Sequence, residues 1–273
     1  MKPEDKYIEV NKIKTRYWDS GGEGSTILLI HGLGGFIELW EPTIEELSGK
    51  YHLVALDLPG HGLTAKPDYF TYGTGNMAQF VHSFIEASQL EFAHVVGHSL
   101  GGAIAIRLAV KFPRDVEKLV LVSSAELGSE VALSLSVATV PLVGELLTIP
   151  SRGSTARYLR QNVYNPALIT PEMIETAYRM VSQPGASRSF LKTLRANGNL
   201  NGQFQTDGKW LKAIQKPTLV IWGKEDRILP AEQAKIAEEQ IPDVQVQILE
   251  NCGHLPMLEH TQIFNEALVN FFN

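Results

Sequence analysis

The stretch Gly97-His98-Ser99-Leu100-Gly101 constrains the fold of this chain more than any other. It follows a short apolar run, residues 93–96, and precedes a nearly continuous apolar segment with helical character, residues 103–112. An apolar strand that turns directly into a helix through this sequence matches the pattern G-x-S-x-G. The stretch therefore predicts a sharp strand-to-helix turn with Ser99 at its apex.

Such a turn makes specific demands on its residues. The serine adopts a sparsely populated backbone conformation that costs on the order of 1–3 kcal/mol. The chain can close around it only where the residues two before and two after are small, as Gly97 and Gly101 are. The turn exposes the hydroxyl of Ser99 at the positive end of a helix, where backbone N–H groups can stabilise a developing oxyanion.

The composition is that of one large soluble domain. The chain has 273 residues, 44% of them hydrophobic and 20% charged, and its net charge of −6 argues against a nucleic-acid partner. A single cysteine, Cys252, excludes an internal disulfide and a multi-cysteine metal site. The N-terminal residues lack the apolar segment of a secretion signal, which predicts a cytoplasmic protein. The mostly apolar stretch 131–149 contains Pro141 and Glu145, so we expect no integral membrane segment.

Apolar runs and amphipathic segments alternate along most of the chain. Residues 6–18 show the polar and apolar alternation of an antiparallel hairpin. Continuous apolar runs predict strands covered on both faces, at residues 26–30, 52–56, 93–96, 119–122 and 218–222. A final alternating strand is expected at residues 244–249. This order predicts an α/β fold with a mostly parallel, eight-stranded sheet and helices on both of its faces.

The pattern changes between about residue 124 and about residue 208. Strand-like runs vanish there, and prolines interrupt the helical segments. We expect residues 1–124 and 208–273 to form the α/β core, and residues 125–207 to form a helical insertion. In sheets of this kind, functional side chains collect at the carboxyl ends of the parallel strands.

Five stretches at or near strand ends together resemble the α/β-hydrolase family. They are His31-Gly32-Leu33-Gly34-Gly35, Asp57-Leu58-Pro59-Gly60-His61-Gly62, the turn at 97–101, Trp222-Gly223-Lys224-Glu225-Asp226 and Gly253-His254-Leu255-Pro256. The resemblance spans nearly the whole chain. It implies the α/β-hydrolase fold, with the insertion at 125–207 as a helical cap over the active site.

The resemblance also implies a catalytic triad. Ser99 would attack an acyl carbon, and His254 would take the serine proton and pass it to the leaving group. Asp226 would hold the imidazole in the required tautomer. Glu126, which follows the preceding strand, is the alternative position for the acid.

An oxyanion hole and a substrate pocket are expected beside Ser99. By the same resemblance, the backbone N–H groups of Leu33 and Leu100 would bind the oxyanion. The pocket is expected to be apolar and to include Gly32, Gly34, Phe36, Trp40, His98, Leu142, Val143, Leu146 and Met257. Three interpretations of the aliphatic residues in the cap stay open: packing of the cap onto the core, lining of the pocket, or contact with lipid.

The resemblance leaves three functions open. The first is a carboxylesterase-like serine hydrolase for small to medium apolar acyl esters, a monomer or homodimer that needs neither cofactor nor metal. The second is a carbon–carbon bond hydrolase of vinylogous diketones, which the cap stretch Arg188-Ser189-Phe190 favours. Leu255 disfavours it, because that group typically has tryptophan after the catalytic histidine. The third is a ligand receptor with slow turnover on the same fold.

Overall fold

A computed structural model describes residues 3–205 and 208–273. In these ranges the strands are β1 (Lys6–Val10), β2 (Ile13–Asp19), β3 (Thr26–Ile30), β4 (His52–Leu56), β5 (Ala93–His98), β6 (Val116–Val122), β7 (Gly198–Asn199), β8 (Gly202–Gln203), β9 (Thr218–Gly223) and β10 (Val244–Leu249). Eight of them form one sheet in the order β1-β2-β4-β3-β5-β6-β9-β10. The pairs β1–β2 and β2–β4 are antiparallel and the others parallel, which confirms the predicted hairpin and mostly parallel sheet.

Helices connect the parallel strands. The α-helices in the described ranges are α1 (Glu41–Leu47), α2 (Thr74–Ala87), α3 (Leu100–Lys111), α4 (Leu133–Ala138), α5 (Val143–Leu147), α6 (Arg152–Gln161), α7 (Pro171–Val181), α8 (Ala186–Asn197), α9 (Gly208–Lys212), α10 (Ala234–Gln240), α11 (Pro256–Glu259) and α12 (Thr261–Phe272). Short 3-10 turns occupy Ile37–Trp40, Pro166–Leu168 and Ala231–Gln233.

The sheet is covered on both faces because its central strands are apolar at nearly every position. In β3, Leu28 and Ile30 belong to the hydrophobic core that contains side chains of α2 and α3. Ile27 and Leu29 face the opposite way and belong to the core that contains side chains of α1 and α12. The alternation follows from the two-residue repeat of a strand and confirms the predicted covering on both sides.

Helices α4 to α8 and the small antiparallel hairpin β7–β8 lie between β6 and α9. The sequence predicts an insertion without strands, and the hairpin shows that this prediction is wrong at residues 198–203. Its strands have two residues each, too few to show an alternating pattern, and its turn depends on Gly202 at a φ of 118°. The predicted boundary at 207/208 falls partly on residues outside the described ranges. No helix within those ranges combines the length and the apolar character required to cross a bilayer.

Candidate active site

Ser99 occupies a strained turn between β5 and α3. Its φ of 53° and ψ of −118° lie outside the common regions for a non-glycine residue. A Cβ atom at Gly97 would overlap the carbonyl group of Gly101, and one at Gly101 would overlap the carbonyl oxygen of Ile30. The Ser99 N–H donates to the Val122 carbonyl at 2.9 Å, which ties the turn to β6. The predicted geometry of the turn is therefore present.

His254 and Asp226 are directly hydrogen-bonded. The His254 Nδ1–H donates to Asp226 Oδ2 at 2.7 Å, and both side chains are buried. The other carboxylate oxygen of Asp226 accepts from the N–H groups of Ile228 and Leu229, at 2.8 and 3.0 Å. These bonds hold the carboxylate in place and leave the lone pair on His254 Nε2 available as a base.

Glu126, the alternative acid, belongs to a different network. Its carboxylate pairs with the guanidinium of Arg107 at 2.6 Å and accepts from the hydroxyl of Thr74 at 3.0 Å. Asp226 is the carboxylate in contact with the imidazole of His254.

Ser99 and His254 lie on the wall of one cavity at the carboxyl edge of the sheet. Among the described residues, no hydrogen bond joins the Ser99 hydroxyl to the His254 imidazole. A serine–histidine bond of this kind often tightens only when substrate is bound. The structure thus brings all three predicted triad residues to one place and hydrogen-bonds two of them.

Leu33 and Leu100, whose backbone N–H groups are the predicted oxyanion donors, also line this cavity. In the part of the chain that the structure describes, neither group donates a hydrogen bond. Leu100 is the first residue of α3, so its N–H is one of those that a helix leaves unpaired. The loop at Leu33 turns through Gly34, whose φ is 69°, and closes with a 3.0 Å bond from the Gly35 N–H to the Gly32 carbonyl.

A buried ion network holds the residues that directly follow this loop, Ile37 and Glu38. The Arg16 guanidinium contacts Glu38 at 2.8 Å and Asp57 at 3.2 Å, and all three side chains are almost completely buried. Asp57 also accepts from the N–H groups of Ile37 and Leu63, at 2.9 and 2.8 Å. Burial raises the pKa of Asp57 to about 6 against the opposing charge of Arg16.

The sequence gives no reason to expect Arg16 in this role. It lies in the first hairpin, where alternation predicts a solvent-facing side chain, yet its neighbour Thr15 is buried as well. Three carboxylates contact the guanidinium: Asp5 at 2.6 Å, and Glu38 and Asp57 from more distant parts of the chain. The flanking residues, Thr15 and Tyr17, give no local signal that Arg16 is buried.

Three buried histidines surround the site. Burial lowers the pKa of His31 to about 3, that of His61 to about 4, and that of His98 well below its usual range. The His98 Nε2–H donates to the His254 carbonyl at 2.8 Å. His98 therefore positions the backbone of His254 while remaining uncharged.

The cavity at Ser99 has a volume of about 100 Å³ and lies between the carboxyl edge of the sheet and helices α4 to α8. We refer to these helices as the cap and to the rest of the chain as the core. Of the predicted pocket residues, Gly32, Gly34, Phe36 and His98 line it. The cap contributes residues that the sequence did not single out, among them Tyr158, Leu159, Asn162, Thr193, Leu194 and Asn197. These residues lie on or next to α6 and α8, which are amphipathic. The sequence therefore indicates which face of each helix is buried, but not that this face lines the cavity.

Five other predicted pocket residues lie elsewhere. Trp40 and Met257 are fully buried in the hydrophobic core beneath α1 and α12. Leu142, Val143 and Leu146 are 78%, 38% and 71% exposed. The reason is the orientation of α5, in which Gly144 is the buried residue. A Cβ atom at that glycine would contact Leu191 of α8, so the small residue faces the cap interior and the aliphatic side chains face outward.

The cap is hydrogen-bonded through α6 and its C-cap residue Asn162 to the loops that carry Leu33 and His254. The Tyr158 hydroxyl donates to the Leu33 carbonyl at 3.3 Å, and the Asn162 carbonyl accepts from the His254 N–H at 2.8 Å. By contrast, Arg188 of α8 pairs with Asp68 at 2.8 Å and is 53% exposed, outside the cavity.

Comparison with known proteins agrees with this architecture. The family described as the alpha/beta hydrolase fold matches residues 25–261. The chain belongs to the α/β-hydrolase family. This finding confirms the predicted family and fold, and the protein is a hydrolase by family.

Named relatives of this α/β-hydrolase act on different substrates. A 2-hydroxy-6-oxo-6-(2'-aminophenyl)hexa-2,4-dienoic acid hydrolase from Metapseudomonas resinovorans is 29% identical over 98% of this chain and 91% of its own. The structure of a meta-cleavage product hydrolase from Pseudomonas fluorescens IP01 is 29% identical with a TM-score of 0.86, covering 98% and 97% of the two chains. A membrane phospholipase A is 27% identical with a TM-score of 0.83, covering 99% and 86%.

Proposed function

We propose that this protein is a serine hydrolase that cleaves neutral carboxylic esters with small to medium apolar acyl groups. The observation that carries the proposal is the Asp226–His254 hydrogen bond at a cavity shared with the strained Ser99 and two unpaired N–H groups. A base that is oriented by a carboxylate, beside a nucleophile on the cavity wall and oxyanion donors, is the arrangement that acyl transfer requires.

In the proposed mechanism, His254 Nε2 accepts the proton of Ser99 as its hydroxyl oxygen attacks the ester carbon. The oxyanion is stabilised by the N–H groups of Leu33 and Leu100, each worth roughly 3–4 kcal/mol. The imidazolium then protonates the departing alcohol and leaves an acyl group on Ser99. Water, deprotonated by the same imidazole, hydrolyses the acyl-enzyme.

The charges around the cavity support a neutral substrate. Among the described residues that line it, Glu126 is the only Asp, Glu, Lys or Arg, and it is paired with Arg107. A substrate carboxylate would therefore be buried without gaining a cation from these lining residues. A neutral ester avoids this cost.

Carbon–carbon bond hydrolysis is the second candidate, and the likeness to meta-cleavage hydrolases favours it. The named dienoic acid substrate carries a carboxyl group. The arginine that the sequence offers for such a group, Arg188, is paired with Asp68 outside the cavity. Leu255, rather than tryptophan, follows His254 and lines the cavity. These two features favour the ester.

The test compares p-nitrophenyl butyrate with a vinylogous diketone acid in wild type, Ser99→Ala and Ser123→Ala. We expect the wild type to turn over the ester, and Ser99→Ala to lower kcat by about 10⁶-fold. Ser123 is a buried serine at the end of the adjacent strand and serves as the matched control. Preferential turnover of the diketone would overturn the ester assignment, and a single burst without turnover would indicate a receptor.

A further inference from the structure

A second cavity of about 160 Å³ lies beside the one at Ser99. It extends between the oxyanion loop and the cap, and its lining is predominantly apolar. Its aliphatic and aromatic residues come mainly from α5 and its following loop, α7 and α8: Leu147, Ile149, Ala177, Met180, Ala186 and Phe190. Its size is comparable with an apolar protein cavity of about 150 Å³ that binds benzene.

The two cavities share one boundary. Gly34, Gly35, Phe36, Tyr158 and Leu159 line both of them. Tyr158 is held there by the bond from its hydroxyl to the Leu33 carbonyl at 3.3 Å. A Cβ atom at Gly34 would lie 3.1 Å from the ring of Phe190, so the loop has no spare room at this point.

The second cavity carries no charge at neutral pH. Of the described residues that line it, none is Asp, Glu, Lys or Arg. Burial lowers the pKa of His61 to about 4 and raises the pKa of Tyr158 to about 12, so both stay neutral at pH 7. The hydroxyls of Ser154 and Ser187, which also line the cavity, donate to main-chain carbonyls. An uncharged, largely apolar cavity whose serine hydroxyls are bonded in this way fits an aliphatic chain better than a polar ligand.

We propose that the second cavity is a subsite for the far end of an unbranched aliphatic chain of the substrate, with Tyr158 as the residue that determines chain length. The inference rests on the proposed ester hydrolysis, because the chain has to extend from a carbonyl group held at Ser99. The Ser99 cavity, about 100 Å³, accommodates the reacting group, and longer chains pass the Tyr158 ring into the second cavity. The chain belongs to the acyl or to the alcohol half, and two ester series distinguish these sources.

The first experiment fills the subsite. Ala186→Phe places a ring in the second cavity, and kcat/KM is measured for p-nitrophenyl acetate, p-nitrophenyl octanoate and octyl acetate. Because each buried methylene contributes about 0.8 kcal/mol, or about fourfold, losing three or more methylenes should cost at least about 50-fold. We expect that loss for one of the two long esters and less than a twofold change for p-nitrophenyl acetate. Equal effects on all three esters would overturn the proposal.

The second experiment opens the boundary. We expect Tyr158→Ala to raise the octanoate to acetate ratio of kcat/KM by at least tenfold if the acyl half occupies the subsite, or the corresponding octyl acetate ratio if the alcohol half does. Adding Ala186→Phe to this variant should abolish that gain and lower the ratio below the wild-type value, as Ala186→Phe does alone. Tyr158→Phe, which keeps the ring, and Tyr178→Ala, a tyrosine of α7 that stacks on Arg152, should leave the ratio unchanged. A ratio that stays constant in Tyr158→Ala would contradict the role of Tyr158.

A binding measurement separates this inference from the proposed reaction. In the Ser99→Ala background, 1-octanol should raise the melting temperature, and Ala186→Phe should abolish the shift. If esters are not hydrolysed but Ala186→Phe abolishes the octanol shift, the apolar binding site is supported and the proposed ester hydrolysis is contradicted. If esters are hydrolysed but Ala186→Phe changes neither the octanol shift nor the chain-length profile, the subsite is contradicted and the proposed ester hydrolysis is not.

Discussion

The two walls of the Ser99 cavity are built on different principles. The core wall consists of strained turns, the buried Arg16 network and buried neutral histidines, all at the carboxyl edge of one parallel sheet. The cap wall consists of short helices that contact the core through hydrogen bonds, such as those of Tyr158 and Asn162, and through exposed ion pairs such as Arg188 with Asp68. All eight histidines of the chain belong to the core, whereas the segment 125–207 contains none. The proposed catalytic side chains therefore all lie in the core, and the cap contributes residues that shape the cavity.

The first prediction contrasts two buried carboxylates of the core wall, Asp226 and Glu126. Asp226→Asn should lower kcat by about 10⁴-fold, because the amide stabilises the wrong tautomer of His254. Glu126→Gln should leave kcat within a few-fold, since its partner is Arg107 and not the imidazole. Steady-state kinetics on p-nitrophenyl butyrate checks both variants. The opposite ranking would make Glu126 the functional acid.

The second prediction concerns the loss of stability between pH 6 and 5, to which buried histidines of the core contribute. His31, His61 and His98 stay neutral when folded but bind protons below pH 6.5 when unfolded, so acid favours unfolding. Asp57 has the opposite effect below pH 6, because it binds its proton more readily when folded. Between pH 6 and 5 the unfolded chain binds three more protons at the histidines, and the folded protein binds one more at Asp57, so the net difference is about two protons. The free energy of unfolding should therefore fall by about 2.7 kcal/mol per pH unit between pH 6 and 5 from these groups.

Urea unfolding of wild type and His61→Gln at pH 6.0, 5.5 and 5.0 tests this slope. The variant lacks one of the histidines, so its net difference drops from two protons to one and the contribution should halve. An unchanged slope would mean that His61 is protonated in the folded protein.

The third prediction weighs a buried ion network against an exposed pair. Arg16→Met leaves the carboxylate of Asp57 buried without its cation and leaves Glu38 with only the half-exposed Arg179 at 3.5 Å, which should destabilise the protein by about 3–5 kcal/mol. Arg152→Met removes the exposed pair with Glu175 on the cap and should leave the urea midpoint unchanged. A small effect at Arg16 would show that the loop carboxylates find other partners.

The difference between the walls also explains what the sequence can predict. The core wall depends on local patterns: Gly97 and Gly101 mark the turn at Ser99, and strand ends mark Asp226 and His254. Arg16 could not be predicted, because its buried partners Glu38 and Asp57 come from distant parts of the chain. In the cap, apolar content indicates helices but not their rotation. The sequence therefore predicts Leu142 and Leu146 as pocket residues, although the side of α5 that faces inward is the one that carries Gly144.

The smallest predicted effect tests whether the cap contributes to chemistry at all. Tyr158→Phe removes one bond, from the phenol to the Leu33 carbonyl, and keeps the ring that bounds the cavity. A net hydrogen bond is worth about 0.5–1.5 kcal/mol, and this one is long, so kcat should fall by about two- to threefold. Because Leu33 N–H is proposed to bind the oxyanion, the loss should appear in kcat and not in KM. Tyr178→Phe is the matched control on α7, and a change confined to KM in Tyr158→Phe would limit the cap to substrate binding.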